Sequence, residues 1–177
     1  PAAPSPPSPP HPPPHPPTTG LVYQFVFDAV RGPAVDGIQL SQIVLYGSDY
    51  TPLTIARVVP TSEEQLSPPD AAEHPMSLID GSYDSKWRGS LAAGGSVTVR
   101  LELTVAAPVT RYDLFTAHDP LRRDPVSWRF GVYRSDVESF TVLSRVAEME
   151  PPAARGASYS GGYGFSAITP PSPPATP

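Results

Sequence analysis

Hydrophobic and polar residues alternate through most of the middle of the chain. The clearest case is SVTVRLELTV at residues 96–105, in which every second residue is valine or leucine and the others are polar. A period of two places all the apolar side chains on one face of an extended strand, so the pattern predicts a half-buried β-strand. Similar stretches bounded by Gly, Pro and Asp occur at residues 22–29, 38–46, 53–59, 112–117, 127–133, 140–146 and 157–165. Eight short strands with no convincing helix predict an all-β fold, a sandwich or jelly roll.

Proline-rich runs flank this pattern. Residues 1–17 and 170–177 together hold more than half of the 27 prolines. Because proline fixes φ at about −65° and has no backbone N–H, these runs are expected to adopt polyproline II rather than helix or central strand. The predicted organisation is a polyproline II rod at residues 1–19, a β-sandwich at 20–168 and a polyproline II linker at 169–177.

Composition narrows the possible functions. The net charge is −5, and one lysine and scattered arginines form no basic stripe, so nucleic acid is not expected as a partner. No apolar run reaches the roughly 18 residues that span a bilayer. The start at Pro1 suggests a mature fragment or an excised segment. The chain has no cysteine and no asparagine, which excludes disulfides and N-linked glycans and leaves O-linkage for any glycan.

Four segments in the middle of the chain carry recognisable motifs. They are YQFVFDAVRGPAVDGIQLSQIVLYG at residues 23–47, LIDGSYDSKW at 78–87, a strand pair around Asp-Pro-Val-Ser-Trp at 111–146, and PPAARGASYSGGYGF at 151–165. In this order and spacing they resemble the discoidin family, the coagulation-factor type C or galactose-binding-like modules. The resemblance implies an eight-stranded jelly-roll β-sandwich.

A second likeness comes from the flanking runs. The motif Tyr-x-Leu-x-Thr-Ala, followed by Arg-Asp-Pro-x-Ser-Trp and flanked by Ser-Pro-Pro, resembles modules of secreted algal hydroxyproline-rich glycoproteins of the pherophorin or extensin kind. It implies an extracellular protein of the cell wall, matrix or flagellar surface, with hydroxylated and O-glycosylated prolines and serines. The positions implied are Ser5, Ser8, Pro9, Pro10, Pro12, Pro13, Pro14, Pro16, Pro17, Ser172, Pro173 and Pro174.

Several side chains have structural interpretations. Trp87 and Trp128 each lie beside a turn, where a large aromatic residue more often fills one end of a sandwich than stacks on a sugar. Asp124 fits a tight turn, in which Arg122 or Arg123 could pair with it. The resemblance places Arg155 near the closing strand, where its partner could be Asp124 or Asp113.

The loop that contains Asp80 and Ser85 is a candidate calcium site. In carbohydrate-binding relatives the matching loop carries a structural Ca²⁺, and one carboxylate, one hydroxyl and several carbonyls could supply most of its six to eight oxygen ligands. Such sites usually add a glutamate near the last strand, and residues 157–165 contain none. Apart from this possible structural Ca²⁺, no cofactor is expected.

Two functions from different classes remain open. The first is a structural subunit of an extracellular glycoprotein fibre, with copies of itself, related glycoproteins and covalent O-glycans as partners, and with a proline-rich rod lying along an aromatic groove. The alternative is a module that binds a matrix polysaccharide, and its candidate contacts are Tyr50, Tyr83, Trp87 and Tyr163. Catalysis is not expected, because the middle of the chain has two histidines, His74 and His118, and no nucleophile elbow or phosphate-binding loop.

Overall fold

A computed structural model describes residues 22–32, 37–61, 73–91, 95–118, 120–159 and 163–164. The strands are β1 (Val22–Val30), β2 (Gly37–Leu40), β3 (Gln42–Tyr46), β4 (Ile55–Pro60), β5 (Trp87–Ser90), β6 (Val97–Leu103), β7 (Arg111–Phe115), β8 (Pro125–Arg134), β9 (Ser139–Val146) and β10 (Tyr163–Gly164). The helical turns are of the 3₁₀ type, as at Pro75–Ile79 and Leu121–Arg123. No α-helix occurs among the described residues, and none of their helical turns is long and apolar enough to cross a membrane.

The strands form three antiparallel sheets. The largest has five strands in the order β4-β6-β1-β8-β9 and is open, with β4 and β9 at its edges. A three-stranded sheet has the order β10-β7-β3, and β2 pairs with β5 in a two-stranded sheet. The prediction of an all-β fold is therefore confirmed.

A single hydrophobic core lies between the five-stranded sheet and the two smaller sheets. In β6 the alternation seen in the sequence is reproduced as strictly alternating burial, with the valines and leucines turned inward. Across the core, the ring of Phe25 in β1 meets the ring of Tyr112 in β7 edge-on at 5.0 Å. Phe27 reaches Trp87 in β5 at 6.2 Å. These aromatic contacts join all three sheets into one folded unit.

Strand number differs from the sequence prediction, since the described residues form ten strands instead of eight. The predicted strand at residues 38–46 is two strands that belong to different sheets. At Ser41 the chain leaves the two-stranded sheet, and the Ser41 hydroxyl donates to the Thr116 carbonyl at 3.0 Å. A strand was also predicted at residues 157–165. Its described residues form only β10 and an isolated bridge between Ser158 and Phe115.

Strand β5 was not predicted because WRGS is short and contains glycine. The two glycines of this strand pair, Gly37 and Gly89, allow the backbones to approach closely: a Cβ on Gly37 would lie 2.5 Å from the Gly89 carbonyl oxygen. A Cβ on Gly89 would in turn meet the Trp87 ring at 2.6 Å. Glycine here therefore reflects packing rather than a turn.

The two ends of the described chain lie at the same end of the folded unit. The hydroxyl of Tyr23, next to the start of β1, donates to the Ala107 carbonyl at 3.0 Å and accepts from the Val109 N–H at 2.9 Å. Two residues further on, Arg111 begins β7 and pairs with Gly164 of β10. The first and last described strands therefore have their outer ends near the connection that leads into β7. The proline-rich segments at residues 1–19 and 169–177 lie outside the described residues.

Candidate functional site

The Asp80 loop is closed by its own hydrogen bonds. The Asp80 carboxylate accepts the Ser82 N–H on Oδ1 at 2.8 Å and the Ser85 hydroxyl on Oδ2 at 2.7 Å. Gly81 takes φ 77°, a left-handed conformation that glycine adopts without steric cost. The Asp-Gly-x-x-x-Ser spacing thus encodes a compact turn in which the aspartate side chain replaces a backbone acceptor.

Calcium binding at this loop stays a prediction. The loop supplies the Asp80 carboxylate and the Ser85 hydroxyl, both of which are already used in the turn. Among the residues that the structure describes, no group of three or more acidic or histidine side chains is arranged to hold a metal ion. Because Ca²⁺ prefers six to eight oxygen ligands, the described side chains do not by themselves form a calcium cage.

The same turn presents Tyr83 to solvent. Its ring packs on Phe115 at the end of β7 with a centroid distance of 4.9 Å, and 45% of the residue is exposed. Beside it, Nε2 of His118 lies 3.7 Å from Oδ1 of the exposed Asp84. A Cβ on Gly156 would touch both His118 and Tyr83, so these residues form one surface cluster.

Next to this cluster, the outer surface of the three-stranded sheet combines aromatic and polar side chains. Ile43, Leu45, Tyr112 and Leu114 are buried in the core, so the alternate residues of β3 and β7 face outward. We call this surface the aromatic face. Its members are Gln42, Val44, Tyr46, Arg111, Asp113 and Phe115, together with Tyr83 packed on Phe115.

A charged network occupies the centre of the aromatic face. The Tyr46 hydroxyl donates to Oδ2 of Asp113 at 3.1 Å, and a guanidinium nitrogen of Arg111 lies 3.4 Å from Oδ1. Burial, followed by the charge of Asp113 and the hydrogen bond to it, raises the pKa of Tyr46. Tyr83 makes a smaller contribution that also raises the pKa of Tyr46.

Two buried polar atoms of the aromatic face have no hydrogen-bond partner. They are Oε1 of Gln42 and Nε of Arg111. Gln42 is 6% exposed, although it lies on the outward side of β3. Among the described residues, these two buried atoms are therefore exceptions to the usual pairing of buried polar groups.

The other candidate sugar contacts do not join this cluster. Trp87 is 1% exposed in the core, which confirms its interpretation as a packing residue and leaves no ring surface open to a sugar. Tyr50 is 69% exposed in the turn after β3, at the opposite end of that strand from Phe115. The backbone of Tyr163 pairs with Tyr112 in β10. The predicted modification sites in the proline-rich runs lie outside the described residues.

Arg155 links the closing segment, which begins at residue 151, to the rest of the fold. Its guanidinium forms two hydrogen bonds with the Asp124 carboxylate, at 2.7 and 2.8 Å, and its Nε donates to the Ala117 carbonyl. Asp124 is fully buried. Of the two carboxylates considered for Arg155, the structure selects Asp124, so the ion pair links the closing segment to β8 rather than to the aromatic face. Trp128 is likewise buried, as predicted, and its indole N–H donates to the Tyr112 hydroxyl at 2.9 Å.

Sequence reasoning missed most of the aromatic face. Tyr46, Arg111, Asp113 and Phe115 occupy alternate positions of two predicted strands, so each looked like an ordinary solvent-facing residue. The available signal was the polar and aromatic character of those alternate positions. What the sequence did not provide was the register, Tyr46 with Arg111 and Val44 with Asp113, that gathers them on one surface.

No family model, curated protein or solved structure matches this chain. The resemblance to discoidin-type modules therefore stays a prediction, and function has to be inferred from the chain's own residues.

Proposed function

We propose that this chain is a structural module of an extracellular glycoprotein fibre, with a discoidin-like jelly roll between proline-rich rods. The observation that carries the proposal is a β-rich unit with one hydrophobic core whose sequence continues at both ends into polyproline. Such runs bury little apolar surface of their own and act as extended spacers. The N-terminal run of residues 1–17 would span ~50 Å at ~3.1 Å per residue.

The architecture supports the jelly-roll part of the proposal. Two layers of antiparallel strands enclose the core, with the five-stranded sheet on one side and the smaller sheets on the other. The closing segment is tied to this body by the Arg155–Asp124 pair, as the resemblance implies for an arginine near the last strand. The algal likeness of the flanking Ser-Pro-Pro units supports secretion, proline hydroxylation and O-glycosylation.

Assembly of the full chain tests the proposal. The chain would be secreted from a host that hydroxylates proline, and its size distribution followed by sedimentation velocity over a wide concentration range. We expect assemblies that grow with concentration. A matched variant with alanine in place of the prolines of residues 1–17 should stay smaller. A full chain that remains monomeric at every concentration would exclude the fibre role.

A carbohydrate-binding module is the second candidate. The observation that favours it is the surface cluster beside the Asp80 loop, where the exposed ring of Tyr83 lies near the polar groups of Asp84 and His118. An exposed aromatic ring with convergent polar groups is a common arrangement for sugar binding. Calorimetric titration with galactans and arabinans would show saturable binding that Tyr83→Ala removes. Absence of saturable binding to these polysaccharides would leave the structural role alone.

A further inference from the structure

The aromatic face has the chemical properties of a surface that binds polyproline. Polyproline II offers proline rings, which pack on aromatic side chains, and backbone carbonyls, which accept hydrogen bonds, but proline itself has no N–H to donate. Grooves that recognise such segments are therefore lined by aromatic rings and carry donors. The aromatic face provides the rings of Tyr46, Tyr83 and Phe115 and the guanidinium of Arg111.

The spacing of these groups suits a polyproline II helix. Tyr83 and Phe115 lie at one end of β7, and Tyr46 and Arg111 lie at the other, four residues away or ~13 Å along the strand. In polyproline II, prolines on one side recur every three residues, at intervals of ~9 Å. One turn is shorter than this separation, but two turns, ~19 Å, cover it, so prolines on one side of such a helix can reach both aromatic groups and pass over the smaller side chain of Val44 between them.

The donors of the face are also incompletely used. Arg111 is held over the Tyr46 ring at 5.5 Å and beside Asp113 at 3.4 Å, and its side chain is 35% exposed. Its unpartnered Nε is buried, so a carbonyl of a bound polyproline segment would accept from the exposed part of the guanidinium instead. Arg155 differs in this respect, because its Nε and both terminal nitrogens donate hydrogen bonds within the fold.

The path of the chain indicates which segment is the occupant. β10 lies at the edge of the three-stranded sheet, and its last residue, Gly164, is paired with Arg111 of the aromatic face. The C-terminal proline-rich run begins six residues later, at Pro170. Six residues span at most ~20 Å, and β3 lies about two strand spacings, ~10 Å, from β10. A linker this short holds the run at millimolar effective concentration near the face.

From this geometry we propose that the C-terminal run, residues 170–177, docks on the aromatic face of its own chain. Its proline rings pack on Tyr83, Phe115 and Tyr46, and its carbonyls accept from Arg111. The proposal gives one proline-rich run a defined contact, and it holds whether or not the chain assembles into fibres.

The absence of cysteine makes a direct test possible. A single Thr176→Cys substitution in the full chain would carry a nitroxide spin label, and line broadening of backbone amide signals would report which residues lie near it. We expect severalfold broadening at Tyr46, Arg111 and Asp113, unchanged on dilution. Adding Tyr83→Ala should remove most of that broadening. The matched control is Tyr50→Ala, an exposed tyrosine outside the face, which should leave it intact.

The contrary outcomes are distinct. The proposal would be overturned if the amide signals of the face are not broadened, or if broadening is spread evenly over the surface. It would also be overturned if the broadening persists in Tyr83→Ala. A mixed sample of isotope-labelled chains without nitroxide and unlabelled chains with it reports contacts between molecules. Broadening at the face in this sample alone would overturn docking within one chain and assign the run to a neighbouring copy. The dispersion of the same spectra shows that each variant is folded. Failure here leaves the sedimentation result, and hence the fibre proposal, unaffected.

Discussion

The outward surfaces of the two main sheets differ in how their charged side chains are paired. On the five-stranded sheet, Arg57 pairs with Glu102 through two bonds of 2.7 Å, and Arg129 pairs with Asp28 at 2.8 and 3.0 Å. We call this surface the ionic face. Arg100 on the same face donates to Gln24 and lies 3.5 Å above the Tyr133 ring. A fourth arginine, Arg145, lies opposite Arg129 and is exposed.

On the three-stranded sheet, by contrast, Tyr46, Arg111 and Asp113 form a network that leaves polar atoms without partners. The ionic face pairs three of its arginines, Arg57, Arg100 and Arg129, with acceptors of the same sheet. The aromatic face combines partly exposed rings with the partly exposed guanidinium of Arg111, which is the combination required by the docking proposed above. The difference predicts that substitutions on the ionic face change only the free energy of unfolding, whereas substitutions on the aromatic face change the docking of residues 170–177.

The largest effect is expected from the buried ion pair of Arg155 and Asp124. Arg155→Ala leaves the fully buried Asp124 carboxylate unpaired, and loss of one partner of such a pair typically costs ~3–5 kcal/mol of unfolding free energy. Denaturant unfolding would measure it, and Arg155→Lys, which keeps the charge but not the two-pronged geometry, is the control. A loss below ~1 kcal/mol for Arg155→Ala would show that the closing segment is held by other contacts.

A second substitution tests the five-stranded sheet. Gly131 lies where β8 and β9 approach closely, and an added Cβ would stand 2.0 Å from the Thr141 carbonyl oxygen. Gly131→Ala must push the edge strand away, so we expect a loss of about 1–3 kcal/mol. Gly47→Ala is a suitable control, because its Cβ would meet the nearest atoms at 3.3 Å or more. Equal stability of the Gly131 variant and the wild type would contradict the close approach of these strands. Docking of residues 170–177 should survive in both.

A smaller effect is expected on the ionic face. Arg129 and Asp28 are each about one-third exposed, so solvent screens their attraction. Arg129→Ala should cost ~0.2–1 kcal/mol, less at high salt, and leave docking at the aromatic face unchanged. A double-mutant cycle with Asp28→Ala measures the coupling. A marked change in docking upon Arg129→Ala would remove the proposed separation between the faces.

The smallest expected effect is on alkaline stability. The pKa values of Tyr23, Tyr46 and Tyr112 are all raised above the ordinary 10.0, mainly by burial. The folded chain therefore holds these protons more tightly than the unfolded chain, so stability is complete below pH 10 and declines as the pH rises further. Tyr46→Phe should make this decline shallower. An identical pH profile for Tyr46→Phe would contradict the raised pKa of that phenol.

The sequence was informative where local pattern alone decides the structure. Alternation predicted β6 and the all-β class, because one buried face requires a period of two. The same pattern predicted β2 and β3 as one strand. The change of sheet at Ser41 depends on which strands pair with residues 37–40 and 42–46, and local alternation does not show this. For Arg155 the resemblance offered Asp124 and Asp113 as examples of a partner, and only the tertiary packing shows that the partner is Asp124. The aromatic face escaped prediction for the same reason, because strand register and the stacking of Tyr83 on Phe115 are long-range contacts.

The Tyr23 hydroxyl, which joins the start of β1 to the connection before β7, has a consequence for overall shape. Both outer ends of the described chain leave from one pole of the β-unit, while the Asp80 loop and Tyr83 lie toward the other. Any load applied at the two described ends would therefore act between β1 and β10 at one pole, and would not stretch the β-unit from pole to pole. The opposite pole, with the Asp80 loop and Tyr83, would lie away from that load.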